Sequence, residues 1–434
     1  MKKRKIITLW CVAFIGIAAL GQESVLQVIN GKAYTPKQWT DIERISFNVD
    51  EGVMIISDVD EGSLSLPLQP SLSIPSGPTV PLIEITTEED LEEIPNRVDY
   101  KVASFKLSGF GNCDDVERDL NIRGRGNTSW TFAKKPYRLK FDKKVSLCGL
   151  PAAKGYVLLA NYTDPSLAQF ALATKIGQML DLPYTNQVAA VDVVLNGIYK
   201  GSYVLTNKPG INAGSVDIDE SNSIMWELDV KYDEALKFKS AILGLPVMVS
   251  DPDLDNDAFE KWKRDFNEME AAAVEINASQ YVDMDVFARY LLVNEILKND
   301  EIGWPKSVKL FKSEGGKYIF GPIWDFDAAM GHVWSGHINY TTDKINNEVW
   351  RNTLFSYLEE DSEAIAARKK YWKEIRERLP ELLEYIDEYS QAVRNSALRN
   401  QAMWTSLDDF DESLEKMKHW LQLRFEALDE IIGQ

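Results

Sequence analysis

The chain has 434 residues, enough for one large core or for two lobes. Hydrophobic residues make up 45% and charged residues 26%, and both values are ordinary for a globular protein. The formal net charge of −19 argues against nucleic acid or anionic lipid as partners over most of the surface.

The N-terminus has the pattern of a secretory signal peptide. Residues 2–5 are all basic, an apolar run occupies 6–20, and Ala19 and Gly21 suit the −3 and −1 positions of a cleavage site after Gly21. The alternative is an uncleaved membrane anchor, but the run has about 15 residues and a spanning helix needs about 20. We therefore expect a signal peptide at 1–21 and an exported protein, in the periplasm, at the cell surface or outside the cell. No later segment has the composition of a transmembrane helix.

A small leader and a linker are predicted before the main domain. Residues 22–62 contain ERISF and GVMIIS, whose β-branched and aromatic residues are typical of strands. Residues 63–80 are rich in Ser and Pro and are predicted to be a linker. The main domain, 81–434, begins with the apolar strand pattern PLIEITT.

The main domain changes from strands to helices along the chain. Residues 166–180 have helical spacing, and NGIYKG at 196–201 indicates a hairpin turn. These patterns predict an α+β fold with two lobes, at about 81–230 and 231–434. The candidate strands are 101–107, 118–123, 136–142, 155–161, 190–195, 202–206, 223–229, 308–312 and 317–320. The candidate helices are 257–275, 283–298, 359–393 with a break at Pro380, and 409–431.

Export would determine the redox environment of the cysteines. Cys11 lies within the apolar run and would leave with the signal peptide, and Trp10 before it is too large for a lipid-attachment site. Cys113 and Cys148 would then meet an oxidising compartment, where two thiols can pair. The alternative is that they are two unrelated small buried residues.

The register of two predicted strands favours a disulfide. If 118–123 and 136–142 pair symmetrically, Ile122 faces Leu139. The same register, continued, brings the two remaining cysteines opposite each other. A slip of one residue would place them on opposite faces of the sheet.

The first candidate site is the basic hairpin formed by IRGRGNTSW (122–130) and KKPYRLKFDKK (134–144). Between 121 and 144 the chain has eight basic residues and one acidic residue. Glycine allows the backbone to approach a ligand closely, and Arg and Lys supply the donors that a polyphosphate needs. The alternative is a solvated basic hairpin. The residues concerned are Arg123, Gly124, Arg125, Gly126, Arg138 and Lys140.

The second candidate site is FGPIWDFDAAMG (320–331). Asp325 and Asp327 follow an apolar strand pattern, and two carboxylates at this spacing can hold a hard divalent cation. The alternative is a turn with capping aspartates. Asp300, in NEILKND, could accept a proton from an attacking hydroxyl. We find no zinc-binding histidine set and no Walker or dinucleotide motif.

Taken in order, these segments resemble the CotH (spore coat protein H) kinase family over roughly residues 80–335. The leader with DIERISF is similar to that of exported, Bacteroidetes-type members. The motifs that carry the resemblance are IRGRGNTSW, KKPYRLKFDKK, SLCGLPAAKGYVLLANYTDPSL, VVLNGIYKGSYVLT, IMWELD, DPDLD, VNEILKND and GPIWDFDAAMG.

The resemblance implies an atypical protein-kinase-like fold that uses ATP and a divalent metal, Mg or Mn, to phosphorylate Ser or Thr of protein substrates. In this chain it implies that Asp325 is catalytic and binds the metal together with Asp327, and that Asp300 is the catalytic-loop aspartate. The nucleotide-binding residues that it implies are Arg123, Gly124, Arg125, Gly126, Asn127, Arg138 and Lys140.

Several positions depart from the family pattern. Asn207 stands where a Glu is frequent, Gln169 and Phe170 where Arg-Asn is frequent, and Ser307 where an Asn is common. Each change removes a charge or an amide that could orient phosphate or metal. The alternative function is therefore a weakened or inactive interaction module at the cell surface or envelope.

Overall fold

The computed structural model describes residues 80–89, 91–335, 337–404 and 409–433, and the backbone of three strands before them. The predicted signal peptide lies outside the described residues. The chain divides into two compact units, 1–77 and 78–434. The boundaries predicted for the leader, linker and main domain stay predictions.

The first unit contains a three-stranded antiparallel sheet in the order β1-β2-β3. The third strand lies in the segment predicted as a linker. Its sequence, SLSLP, alternates polar and apolar residues with the period of a strand, which the high Ser and Pro content hid. The strands are β1 (Ile42–Asn48), β2 (Val53–Asp58) and β3 (Ser63–Pro67).

The second unit begins with a closed barrel in the order β10-β8-β7-β6-β5-β4-β9. Neighbouring strands are antiparallel except β4 and β9, which are parallel. Alternate residues point inward and fill the barrel, as Ile83, Phe105 and Tyr156 do. The strands are β4 (Leu82–Thr87), β5 (Lys101–Ser108), β6 (Val116–Gly124), β7 (Tyr137–Val145), β8 (Ala153–Leu159), β9 (Val188–Leu195) and β10 (Ile198–Asn207).

The predicted hairpin turn and disulfide are confirmed. Asn196 and Gly197, between β9 and β10, both have positive φ, as a tight two-residue turn requires. In the β6–β7 pair, Ile122 is opposite Leu139, and beyond that pair Cys113 is bonded to Cys148.

A five-stranded antiparallel sheet follows, in the order β12-β13-β11-β14-β15. The predicted strands at 223–229, 308–312 and 317–320 correspond to three of its members. Two further strands, β12 with three residues and β13 with six, were not predicted from the sequence. The strands are β11 (Ser223–Leu228), β12 (Lys237–Lys239), β13 (Pro246–Asp251), β14 (Val308–Ser313) and β15 (Ile319–Phe320).

Helices dominate the rest of the unit, so the predicted α+β class is confirmed. Pro380 lies in the first turn of a helix, where its missing N–H costs nothing, and so it separates two helices as predicted. Among the described residues, none of the helices combines the length and apolar character needed to cross a bilayer. The helices are α1 (Gln169–Met179), α2 (Asn256–Val274), α3 (Met284–Ile296), α4 (Thr353–Leu358), α5 (Ser362–Arg376), α6 (Leu379–Met403) and α7 (Phe410–Ile432).

The end of α6 is fixed to the barrel by a buried lysine. Lys134, in the β6–β7 connection, donates from Nζ to the carbonyl oxygens of Ala160 (2.7 Å) and Ser202 and to Oδ1 of Asn400 (2.7 Å). Three acceptors therefore surround the three donors of one ammonium group. The connection that carries the predicted basic site is thus anchored to both the barrel and a C-terminal helix.

Candidate functional site

A cavity of about 480 Å³ lies between the barrel and the five-stranded sheet. Both predicted clusters contribute to it. Its charged lining residues are Arg97, Arg123, Arg125, Arg138, Lys208, Glu227, Asp229, Asp233, Glu234, Lys306, Lys309, Asp325 and Asp327, and Gly126, Asn127, Phe132, Ser307, Trp324 and Trp334 also line it.

The basic hairpin forms the barrel wall of the cavity, but not all of its predicted residues reach the site. Arg123, Arg125, Arg138, Gly126 and Asn127 line the cavity.

Two predicted members of the site lie elsewhere. Gly124 is buried, and a Cβ there would collide with the ring of Trp130, so this glycine is needed for packing rather than for ligand approach. Lys140 is exposed and points towards the ring of Tyr100, with Nζ 5.8 Å from the ring centroid. The prediction that Lys140 contributes to the site is not supported by its position.

Arg97, which was not predicted from the sequence, holds the loop after β6 in place. Its Nη1 donates to the carbonyl oxygen of Gly126 (2.6 Å) and to Oδ1 of Asn127 (2.7 Å). Gly126 has a φ of +82°, which favours glycine at this point of the loop. The glycine-rich stretch is therefore a fixed wall of the cavity.

Two cations of the barrel wall form no direct ion pair. Within the described part of the chain, the side chains of Arg138 and Lys208 make no hydrogen bond or ion pair, and Nε of Arg138 is buried without a partner. Burial, with repulsion from Arg138, lowers the pKa of Lys208 to about 8, although Asp251 and Glu234 oppose this shift. Burial also lowers the pKa of Arg138. Arg123 adds to this effect, whereas Tyr100, Glu234 and Asp251 oppose it. An anion between the two would relieve both costs, so this wall is suited to phosphate.

The two predicted aspartates lie together on the opposite wall. Oδ2 of Asp325 accepts a hydrogen bond from Oγ of Ser307 (3.2 Å) and lies 3.6 Å from Nζ of Lys306. Burial and the neighbouring Asp325 raise the pKa of Asp327 to about 7, although Lys306 and Arg125 oppose this shift. Asp327 therefore lacks sufficient positive charge around it to favour its ionised form.

Lys306 and Glu301 form a buried ion pair beside Asp325. Nζ of Lys306 donates to Oε1 of Glu301, whose Oε2 is buried without a hydrogen-bond partner in the described residues. Burial and Asp325 raise the pKa of Glu301 to about 8. Burial lowers the pKa of Lys306, but Asp325, Glu301 and Asp327 outweigh it and raise the pKa above its usual value. Lys306 is therefore a fixed positive charge next to the aspartates.

The five-stranded sheet adds a second paired cation. Glu227 on β11 is opposite Lys309 on β14, and their side chains form an ion pair of 2.7 Å. Asp229, just after β11, accepts hydrogen bonds from the backbone N–H groups of Lys231 (2.7 Å) and Ser307 (3.1 Å). The motif IMWELD contains these acids, but its apolar pattern gave no sign that they face a cavity.

A sequence model of the family described as CotH kinase protein matches residues 122–428, which is more than half of the chain. The chain belongs to this family. The match begins later than the predicted resemblance and continues into α7, so the C-terminal helices are part of the family region. A search of curated proteins found no match. Membership in the CotH family indicates a kinase-like phosphotransferase.

Asp300, the predicted catalytic-loop residue of this CotH-family chain, does not line the cavity. Its Oδ2 pairs with Nζ of Lys298 (2.8 Å) and its Oδ1 accepts from the backbone N–H of Trp350 (2.8 Å). The side chain is 46% exposed. Its role in proton transfer stays a prediction.

The three departures from the family pattern have different places in the structure. Ser307 lies in the cavity and contacts Asp325, so it occupies a functional position. Nε2 of Gln169 donates to the carbonyl oxygen of Ala329 (2.9 Å), which ties α1 to the segment that carries the two aspartates. Asn207 is buried and donates to the carbonyl oxygen of Pro151 (3.0 Å), outside the cavity lining.

The oxygen atoms of Asp325 and Asp327 are suited to a hard divalent cation. Within the described residues, no group of three or more His, Cys, Asp or Glu side chains converges to hold a metal ion. Mg²⁺ commonly uses only one or two protein carboxylates and takes its other ligands from phosphate and water. The two aspartates therefore fit a cation that binds together with a phosphate ligand.

Proposed function

We propose that this protein is an exported kinase of the CotH family that transfers the γ-phosphate of ATP to Ser or Thr of protein substrates. One observation carries the proposal. The unpaired cations Arg138 and Lys208 and the closely placed carboxylates Asp325 and Asp327 line the same cavity. The phosphates of a nucleoside triphosphate would supply negative charge to the two cations. Its divalent cation would supply positive charge to the two aspartates.

The volume of the cavity is sufficient for a ligand of this size. Its volume of about 480 Å³ falls within the range of small-molecule sites. Arg125 lies with its guanidinium carbon 5.4 Å from the ring centroid of Trp324 and interacts with both aspartates. It is therefore placed between the anion-binding wall and the carboxylates, where the transferred phosphoryl group would lie.

Asp325 and Asp327 would hold Mg²⁺ or Mn²⁺. When bound, such a cation neutralises charge on the phosphate oxygens of the nucleotide. Ser307 and Lys306 hold the carboxylate of Asp325 from the protein side, so its position is set before the ligand binds.

In the proposed reaction, the acceptor hydroxyl oxygen bonds to the γ-phosphorus while the bond from that phosphorus to the β–γ bridging oxygen breaks. ADP leaves with the bonding electron pair, and the hydroxyl proton passes to a carboxylate. We assign that carboxylate to Asp300, as the family resemblance implies. Asp300 is half-exposed and lies outside the cavity lining, so the acceptor polypeptide would have to bring its hydroxyl between Asp300 and the cavity.

Export remains part of the proposal. The signal-peptide pattern supports it, and the bond between Cys113 and Cys148 is the kind that persists in an oxidising compartment. Protein substrates in the cell envelope or outside the cell would then be the acceptors.

The test is calorimetric titration of ATP with Mg²⁺ or Mn²⁺ into wild type, Arg138→Gln, Lys208→Met and Lys140→Gln. Loss of one charge-assisted contact costs about 1.5–3 kcal/mol, so the first two variants should each bind ATP at least tenfold more weakly. Lys140→Gln is the control because Lys140 lies outside the cavity. Equal affinity in all four proteins would refute the assigned site. ATP binding without transfer to any acceptor would indicate the interaction module instead.

A further inference from the structure

The backbone of Asp325 needs support from outside its own segment. Its φ is +62°, a conformation that residues other than glycine seldom adopt. Nδ2 of Asn299 donates a hydrogen bond to the carbonyl oxygen of Asp325 at 3.0 Å. The position of this peptide group fixes where the Asp325 carboxylate enters the cavity.

Asn299 belongs to a chain of amide hydrogen bonds that starts in α3. Nδ2 of Asn294 donates to the carbonyl oxygen of Tyr290 (2.8 Å), which leaves Oδ1 of Asn294 to accept from Nδ2 of Asn299 (3.1 Å). Both partners of the Asn299 amide nitrogen, Asn294 and Asp325, are therefore acceptors. Only an NH₂ group can face them, so the orientation of the Asn299 amide is determined by its surroundings.

The burial of this amide is costly and calls for an explanation. Asn294 and Asn299 are each 1% exposed. Oδ1 of Asn299 is buried without a hydrogen-bond partner within the described residues. Such an orphaned acceptor destabilises the folded protein, and an apolar residue would avoid that cost. The gain from Asn299 is thus the pair of donor bonds, one of which ends on Asp325.

We infer that Asn299 is a positioning residue for phosphotransfer. It holds the backbone of Asp325 so that the carboxylate lies where metal and phosphate meet. This inference rests on the proposed function. In the predicted catalytic loop, the residue that contacts the site is therefore Asn299, whereas Asp300 beside it lies at the surface.

The experiment compares Asn299→Ala and Asn299→Asp with a matched control, Asn352→Ala. Asn352 is also buried, and its amide also donates to a backbone carbonyl, that of Ile302 (2.9 Å), but it does not touch Asp325. Asn299→Asp has nearly the same shape and replaces the donor with an acceptor, so it opposes the carbonyl oxygen of Asp325. The kcat, the KM for ATP and the unfolding temperature are measured for each protein.

We expect both Asn299 variants to lose about 10- to 100-fold in kcat, the effect of a misplaced reacting group, while the KM for ATP changes less than about twofold. Asn352→Ala should lower the unfolding temperature and keep the kcat of wild type. Asn299→Ser keeps a hydroxyl donor and should recover part of the kcat, which also covers the case in which the aspartate variant does not fold. Wild-type kcat in folded Asn299→Ala, or a rise in KM equal to the fall in kcat, would overturn the inference.

A second readout separates this inference from the proposed function. In a crystal structure of Asn299→Ala, the Asp325 backbone should leave the positive φ region, whether or not the protein is a kinase. An unchanged Asp325 would refute the role of Asn299. Absence of ATP binding in wild type would refute the proposed function instead.

Discussion

The two walls of the cavity differ in whether their cations form ion pairs. On the barrel wall, the side chains of Arg138 and Lys208 make no ion pair within the described residues, and Glu234 and Asp251 act on them only from a distance. On the wall next to the five-stranded sheet, Lys306 is paired with Glu301, and Lys309 with Glu227. Both walls thus carry cations, but only the cations of the sheet wall are paired with carboxylates.

This difference shows which wall gains from a ligand. An unpaired buried cation has a lowered pKa because burial disfavours its charged form, and an incoming anion reverses that cost. A paired cation has already formed its main interaction and would have to exchange partners. The barrel wall is therefore suited to anion binding, whereas the sheet wall holds Asp325 and Asp327 in a preformed arrangement.

The largest effect is expected from Asp325→Asn, which removes the charge that the sheet wall presents to the ligand. Transfer should fall by about 100-fold or more, as when one preorganised electrostatic contact is lost. The unfolding temperature should stay close to that of wild type because the shape is kept. Phosphate transfer from labelled ATP is the measurement, with Asp300→Asn as comparison, which should lose turnover but keep ATP binding. Equal transfer by Asp325→Asn and wild type would refute the proposed mechanism.

A matched pair of lysine variants tests the comparison itself. Lys309→Met leaves Glu227 without its partner, which should lower the free energy of unfolding by roughly 2–4 kcal/mol, since a broken buried pair costs about 3–5 kcal/mol and the Glu227 side chain is 18% exposed. Lys208→Met removes an uncompensated charge and should leave that free energy unchanged or raise it. Urea unfolding without nucleotide measures both. If both variants lose the same stability, the two walls do not differ as described.

Local pattern was sufficient to predict several parts of the molecule. The symmetric pairing of β6 and β7 followed from residues close in sequence, and with it the register of Ile122 and Leu139 and the disulfide. Asp325 and Asp327 were found because two carboxylates stand close together after an apolar segment. The closure of the barrel was not predicted, since it depends on the parallel pairing of β4 with β9, far apart in the chain.

The missed site residues are those that only the tertiary fold brings together. Lys208 follows β10 and meets Arg138 of β7 because the chain folds into a barrel, and no local motif marks it. In the segment 299–301, the sequence favoured Asp300 because of its chemistry. The tight turn at Asp300–Gly303 instead places Asp300 at the surface and its two neighbours inside, and side-chain directions in so short a turn do not follow from sequence spacing.

The smallest expected effect is the change in the free energy of unfolding per pH unit. It tests the electrostatic description of the wall next to the five-stranded sheet. In the folded state the pKa of Asp327 is about 7 and that of Glu301 about 8, both above the values of about 4 in an unfolded chain. Between these limits the two groups bind more protons in the folded protein than in the unfolded one. The stability that these two groups contribute is therefore fully present below about pH 4 and is lost as the pH rises towards 7–8, at up to about 1.4 kcal/mol per pH unit for each group. Without nucleotide or metal, the unfolding temperature should fall between pH 5 and pH 7, below the range in which Lys134 and Lys208, with pKa values of about 7 and 8, have the opposite effect. Asp327→Asn should make the profile flatter because one of the two groups no longer titrates. A wild-type profile that is flat or rises over this range would contradict the electrostatic description of this wall.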